Sequence, residues 1–132
     1  MAAMNREIAP STIAPPAANY AHAVLSEGAS RLLHTAGVVP IGVDGQVPPS
    51  IDEQAEVVWA NIAAILDEAG MSLDDVVSVT TYVVVELLGA LSAVMVARDR
   101  ALGGRRVAST LVTVPALVRP EWKVEIAVVA AS

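Results

Sequence analysis

The chain has 132 residues, enough for one domain with a real core and too few for two. Hydrophobic residues make up 55 % of it and the mean hydropathy is +0.58, which excludes a disordered chain and points to apolar surface hidden at a subunit interface. A formal charge of −6 and a pI of about 4.7 exclude binding driven by phosphate neutralisation, and the absence of Cys excludes disulfides, thiolate catalysis and Cys-based metal sites.

Residues 1–19 are rich in Pro and Ala and read as extended, with one edge strand near the start. Asn5, Arg6 and Glu7 stand where a signal peptide needs an apolar run. The longest apolar stretch, 87–97, contains Gly89 and Ser92 and falls far short of the ~20 residues of a membrane span. These features predict a soluble cytoplasmic protein with no membrane partner. Two largely apolar runs, 21–25 and 31–36, flank Ser26-Glu27-Gly28 and predict a hairpin. Residues 40–49 hold Gly42, Asp44-Gly45 and Pro48 and predict a loop with a tight turn.

Ser50 and Glu53 have the spacing of a capping box, in which each side chain satisfies a free backbone N–H at a helix start. Ile51, Ala55, Val58, Ile62, Ile65 and Ala69 follow at three- and four-residue steps and make one apolar helix face, with Gly70 where a C-terminal cap belongs. The β-branched run 76–85 predicts a strand buried on part of both faces. Residues 87–102 are helical by composition and end at Gly103-Gly104. Two strands close the chain, 108–114 and 122–130, around a loop holding Pro115 and Pro120. With no repeat and no linker, 1–132 is read as a single α+β domain, a mixed sheet with two helices on one face and residues 1–13 as an extended lead. Phe is absent, so its core must come from Val, Ala, Leu and Ile.

Several segments together resemble the RidA/YjgF family of imine and enamine deaminases. Thr35-Ala36-Gly37-Val38-Val39-Pro40 is similar to the family's Ser-Gly-Gln-Ile-Pro segment. Ile51-Asp52-Glu53-Gln54-Ala55, through Ala69-Gly70-Met71-Ser72-Leu73-Asp74-Asp75-Val76-Val77, is very close to its helix, turn and strand. Arg119-Pro120-Glu121-Trp122-Lys123-Val124-Glu125-Ile126 resembles its closing strand. The likeness covers roughly residues 14–130. It implies a chorismate-mutase-like fold, a homotrimer whose sheets line a central barrel, small-molecule pockets in the clefts between subunits, and no cofactor. The family's older ribonuclease label finds little support in so acidic a chain.

The family holds a substrate carboxylate with an arginine in a Pro-Ala-Arg-Ser/Thr segment, because a guanidinium fork gives a carboxylate two parallel charged hydrogen bonds. Val107-Ala108-Ser109-Thr110 falls on that segment and Ser109 on the arginine, with one extra residue before Trp122. Without that insertion the position is Thr110, so the arginine is absent under either alignment. Arg105 and Arg106 precede the segment, either as solvated charges or, for Arg106, as a substitute cation.

The family's Ser is Ala36, the Gln after Gly37 is Val38, and the Asn of the second helix falls at Met95. Each change replaces a polar group by an apolar one, either through drift or to fit a less polar ligand. Tyr20 keeps the family's Tyr, and Glu125 keeps the acid that the resemblance assigns to the hydrolytic water. The alternatives are a packed ring for Tyr20 and a satisfied strand carboxylate for Glu125. His22 replaces the family's Gln and His34 follows, both compatible with surface or acid–base roles. Two His without clustered carboxylates make no metal motif. Trp59 reads as helix packing and Trp122 as the rim of an interface or pocket. Ser109 has no base neighbour in sequence, and there is no nucleophile elbow or Gly-rich phosphate loop. Three readings remain: an imine or enamine hydrolase with Glu125 and Tyr20 catalytic, a non-catalytic ligand-binding or interaction trimer, and an isomerase, cyclase or hydrolase of a pathway on the same fold.

Overall fold

The computed structural model describes residues 3–132, in the order β1 (Met4–Ile8), β2 (Ala23–Glu27), β3 (Leu32–His34), α1 (Ile51–Glu68), β4 (Val76–Val84), α2 (Leu91–Ala101), β5 (Ala108–Val114) and β6 (Val124–Ala131). The helix start at Ser50 forms as the capping pattern predicts, with one difference. The Glu53 amide donates to Ser50 Oγ at 3.4 Å, but the Glu53 carboxylate accepts from the Ser50 hydroxyl at 3.0 Å rather than from a backbone N–H. The reciprocal arrangement occurs instead at the 3₁₀ turn Leu73–Asp75 before β4, where Asp74 N–H donates to Ser72 Oγ and Ser72 N–H to Asp75 Oδ2. Gly70, at φ +71°, takes the left-handed position just past α1 that a side chain would strain.

Ser50→Ala is expected to lower stability by about 1 kcal/mol, read as a shifted denaturant midpoint at unchanged slope. The Ser50 hydroxyl, ahead of the nearby backbone N–H groups, also holds the exposed Asp52 carboxyl below its ordinary value. A depressed carboxylate stabilises the fold above its unfolded-state pKa, and that contribution is lost as pH falls through the folded-state value. The deficit of Ser50→Ala therefore narrows in acid.

The main sheet has the order β3-β6-β4-β5. β4 and β5 run parallel, and β6 is antiparallel to both β3 and β4. The connection β4-α2-β5 thus joins parallel neighbours, which require a crossover of this kind, and β3-α1-β4 joins two strands of the same direction on either side of β6. Both helices pack on one face of the sheet. Ala55, Val58, Ile62 and Leu66 of α1 and Val94 and Ala97 of α2 meet Val79, Val83, Val124, Ile126 and Val128. The strand period of two sends Glu125, Ala127 and Val129 of β6 to the opposite face, which neither helix covers. Leu32 and Val112, on that same open face by register, are 65 % and 39 % exposed.

The expected hairpin between 21–25 and 31–36 does not form. β2 pairs antiparallel with β1, Met4 opposite Glu27 and Ile8 opposite Ala23, whereas β3 pairs with β6. Gly28 turns the chain at φ +70°, and the amides of Ser30 and Arg31 both donate to the Ser132 carbonyl at 3.0 Å. The chain end takes the backbone groups that a local hairpin would have paired. The second helix also starts later than its composition predicts: a 3₁₀ stretch, Val85–Ala90, kinks at Leu87 before α2 begins at Leu91. Strand β6 begins at Val124 rather than at 122, because Trp122 N–H closes a turn onto the Arg119 carbonyl at 3.1 Å. Among the described residues no helix is long and apolar enough to cross a membrane.

Candidate functional site: two half-sites on opposite faces of the sheet

The sequence-predicted residues fall into two groups. The first lies at the β5 edge on the helix-covered face. Ser109 stands level with Val79 and, across β4, with Val128, and both are buried against the helices. Ser109 and Leu111, two residues apart, therefore point the same way. Leu91, Met95 and Arg98 follow at four- and three-residue steps on one side of α2, and Ala18 and Tyr20 of the segment before β2 close the wall. Together they line a cleft of about 280 Å³. Tyr20, Ser109 and Met95 are thus brought together. The Tyr20 hydroxyl accepts from the Ala17 amide at 3.4 Å, and its ring meets His22 edge-on at 6.0 Å between centroids.

The other predicted cations lie elsewhere. Arg106 is held by Glu7 at 3.1 Å and by the Tyr20 carbonyl at 2.8 Å, in a groove beneath the residue 9–16 segment. His22 lines the same groove, with Nε2 2.7 Å from the Ala14 carbonyl. Arg105 donates to the Leu73 carbonyl at 2.6 Å and so braces the turn before β4. Arg119 sits over the Trp122 ring at 5.4 Å. Trp122 itself is buried, and its indole N–H has no acceptor among the described residues, as is also true of Trp59.

The sequence reading missed Arg98. Its side chain is 7 % exposed, yet it lines the cleft beside Ser109. The signal was present in the spacing: Arg98 lies three residues after Met95, on the same helical face.

The second group lies on the open face. Gly37 follows β3, and its neighbour Val38 bridges to Ile126 of β6. A Cβ on Gly37 would fall 2.7 Å from Glu125 Cδ and closer still to Oε2, so only glycine leaves room for the Glu125 carboxylate here. Tyr82 is the direct register partner of Glu125, a position that puts their Cβ atoms about 5 Å apart. Sequence reading gave Tyr82 no role, because the strand register that makes it a neighbour of Glu125 is not local. Ala36 is exposed at the rim. Glu125 and Gly37 are therefore together, but one chain does not join them to Ser109, Tyr20 and Met95. Among the described residues no group of three or more His, Asp or Glu lies close enough to hold a metal ion.

This is a small α+β domain of the chorismate-mutase-like class, with an acid on its uncovered sheet face and a ligand-sized cleft at its sheet edge. The sequence profile of the Endoribonuclease L-PSP family matches residues 11–132, and the chain belongs to this family, that of the RidA/YjgF, or Rid, proteins. A RutC family protein from Pyrococcus abyssi is 42 % identical over 78 residues, a match spanning 58 % of this chain and 56 % of that protein's length. The conserved Rid family protein YyfB from Yersinia pestis, of unknown function, superposes with a TM-score of 0.85 at 31 % identity over 97 % of this chain and 98 % of its own. Rv2704 from Mycobacterium tuberculosis, of the YjgF/YER057c/UK114 family, gives 0.67 at 30 % identity over 88 % and 89 %.

Proposed function

We propose that this protein is a small-molecule enzyme that hydrolyses imines, including those formed from enamines, in a cleft shared between copies of a homotrimer. The observation that carries this reading is the Glu125 carboxylate lodged over Gly37 on an uncovered sheet face. A second copy laying its open face along the β5 edge would bring Glu125 to the wall formed by Ser109, Met95 and Tyr20. The exposed Leu32 and Val112 on that face support such an association.

In the proposed reaction Glu125 takes a proton from water, and the water oxygen attacks the imine carbon. The C=N electron pair moves to nitrogen, which receives the proton that Glu125 took. In the second step the carbinolamine hydroxyl gives its proton to Glu125, its O–H electron pair forms the carbonyl, and the C–N pair leaves with nitrogen, which takes that proton and departs as ammonia. Tyr20 orients the ligand. Ala18, Leu91, Met95 and Leu111 favour a less polar body than that of the smallest amino-acid-derived imines. Arginines 6, 98, 100 and 106 are each paired with a carboxylate, which favours a small molecule over nucleic acid as the partner.

A steady-state assay of ammonia release tests this. Imines derived from leucine or phenylalanine are expected to turn over faster than 2-iminobutyrate or 2-aminoacrylate. Equal rates would sink the changed specificity. The absence of turnover with every imine would favour the non-catalytic ligand-binding trimer, a reading to which the apolar Ala36 and Val38 also lend support.

A further inference from the structure

We infer that Arg98 supplies the cleft with a cation from α2, and that the ligand carries a carboxylate read by this guanidinium. The inference deepens the proposed function and rests on it only in taking the cleft beside Ser109 as the ligand site.

Arg98 is an unusual residue for the end of an exposed helix. Arg100, two positions on, extends into solvent with its side chain 68 % exposed and meets Glu56 at 2.9 Å. Arg98 instead folds into the protein, 7 % exposed, against the wall made by Met95 and Ser109. A buried guanidinium is costly unless its charge and its N–H groups are answered. The answer within the chain is partial. Nε and Nη2 both donate to one oxygen, Asp99 Oδ1, at 3.2 and 3.0 Å. That oxygen also accepts from Asn19 Nδ2 at 3.2 Å, and the Asp99 side chain is 39 % exposed. A guanidinium has five N–H groups, so three of those on Arg98 have no hydrogen-bond acceptor among the described residues.

A planar anion with two oxygens fits the remaining donors. Leu91, Met95 and Leu111 line the same cleft, and an apolar lining strengthens a charged hydrogen bond made inside it. The Ser109 hydroxyl adds a neutral donor across the cleft. The ligand class is thus a monocarboxylate with a short apolar body.

The test is a calorimetric titration of the full-length protein with hexanoate and with hexanamide, which matches it in shape but carries no charge. The wild type is expected to bind hexanoate about tenfold more tightly. Arg98→Met should abolish that ratio and Arg98→Lys should keep part of it. A purely structural role would lower Tm in these variants and leave the ratio unchanged. Asp99→Asn retains the guanidinium and removes its competitor, so hexanoate should bind more tightly. This variant decides the matter if Arg98→Met does not fold. A wild type without the preference, an Arg98→Met protein that keeps it, or an Asp99→Asn protein with equal or weaker hexanoate binding would each overturn the inference. The ratio is measured without turnover, so the two readings fail separately. An Arg98-dependent ratio with no imine turnover sinks only the enzyme, and imine turnover with no such ratio sinks only the role of Arg98.

Discussion

Glu125→Gln is expected to cut imine turnover by about two to four orders of magnitude, the range lost when a positioned proton-transfer group is removed. Glutamine keeps the shape and loses the proton chemistry, so Tm should stay close to that of the wild type. Gly37→Ala supplies an independent arm. The backbone at Gly37 is not in the left-handed region, so alanine adds no backbone strain there. The new methyl would instead occupy the space of the Glu125 carboxylate, the mobile end of a side chain, and push it aside. A folded Gly37→Ala protein with turnover reduced towards that of Glu125→Gln would show that placement of the carboxylate matters as well as its presence. Full activity in Glu125→Gln would remove Glu125 from the reaction, and full activity in Gly37→Ala would mean that the carboxylate works equally well once shifted.

The second large effect concerns stability. Gln54 is 1 % exposed on the sheet-facing side of α1 and makes three hydrogen bonds to backbone. Its Nε2 donates to the carbonyls of Pro48 and Glu121, and its Oε1 accepts from the Lys123 amide, each at 2.8 Å. The amide thus ties the loop before α1 to the turn that launches β6. Gln54→Ala leaves three part-buried backbone groups without their partner and opens a void where the buried side chain stood. The expected cost is about 3 kcal/mol, or a Tm lower by about 10 °C. Urea unfolding measures it, and a loss below about 1 kcal/mol would mean that water replaces the amide. Because the same turn leads to Glu125, turnover by the folded fraction should also fall.

Periodicity revealed the elements whose information is local. Helix α1 carries its apolar stripe and its cap within twenty-one residues, Ser50 to Gly70, and β4 and β5 lie within one residue of their expected bounds. Partner choice was not legible in the same way. β3 pairs with β6, nearly a hundred residues away, and no local pattern announces that competition with β2. The site divides along the same line. Glu125, Gly37, Ser109, Tyr20 and Met95 were each identified by resemblance, but the close approach of Gly37 to Glu125 depends on strand register. Arg98 escaped because an arginine in the last turn of a helix ordinarily answers the helix dipole in water. Only the placement of α2 across the cleft from β5, which local sequence does not show, makes this side of the helix an inward one.

The placement of Ser109 and Glu125 on opposite faces of one sheet has an evolutionary consequence. Residues that shape the ligand wall, on α2 and β5, share no side-chain layer with the acid on β6. Substitutions such as a serine at 109 or a methionine at 95 can therefore accumulate without disturbing the carboxylate over Gly37. Under the proposed reaction, recognition and proton chemistry are separate inheritances, so a lineage could change what it binds while its acid stays in place.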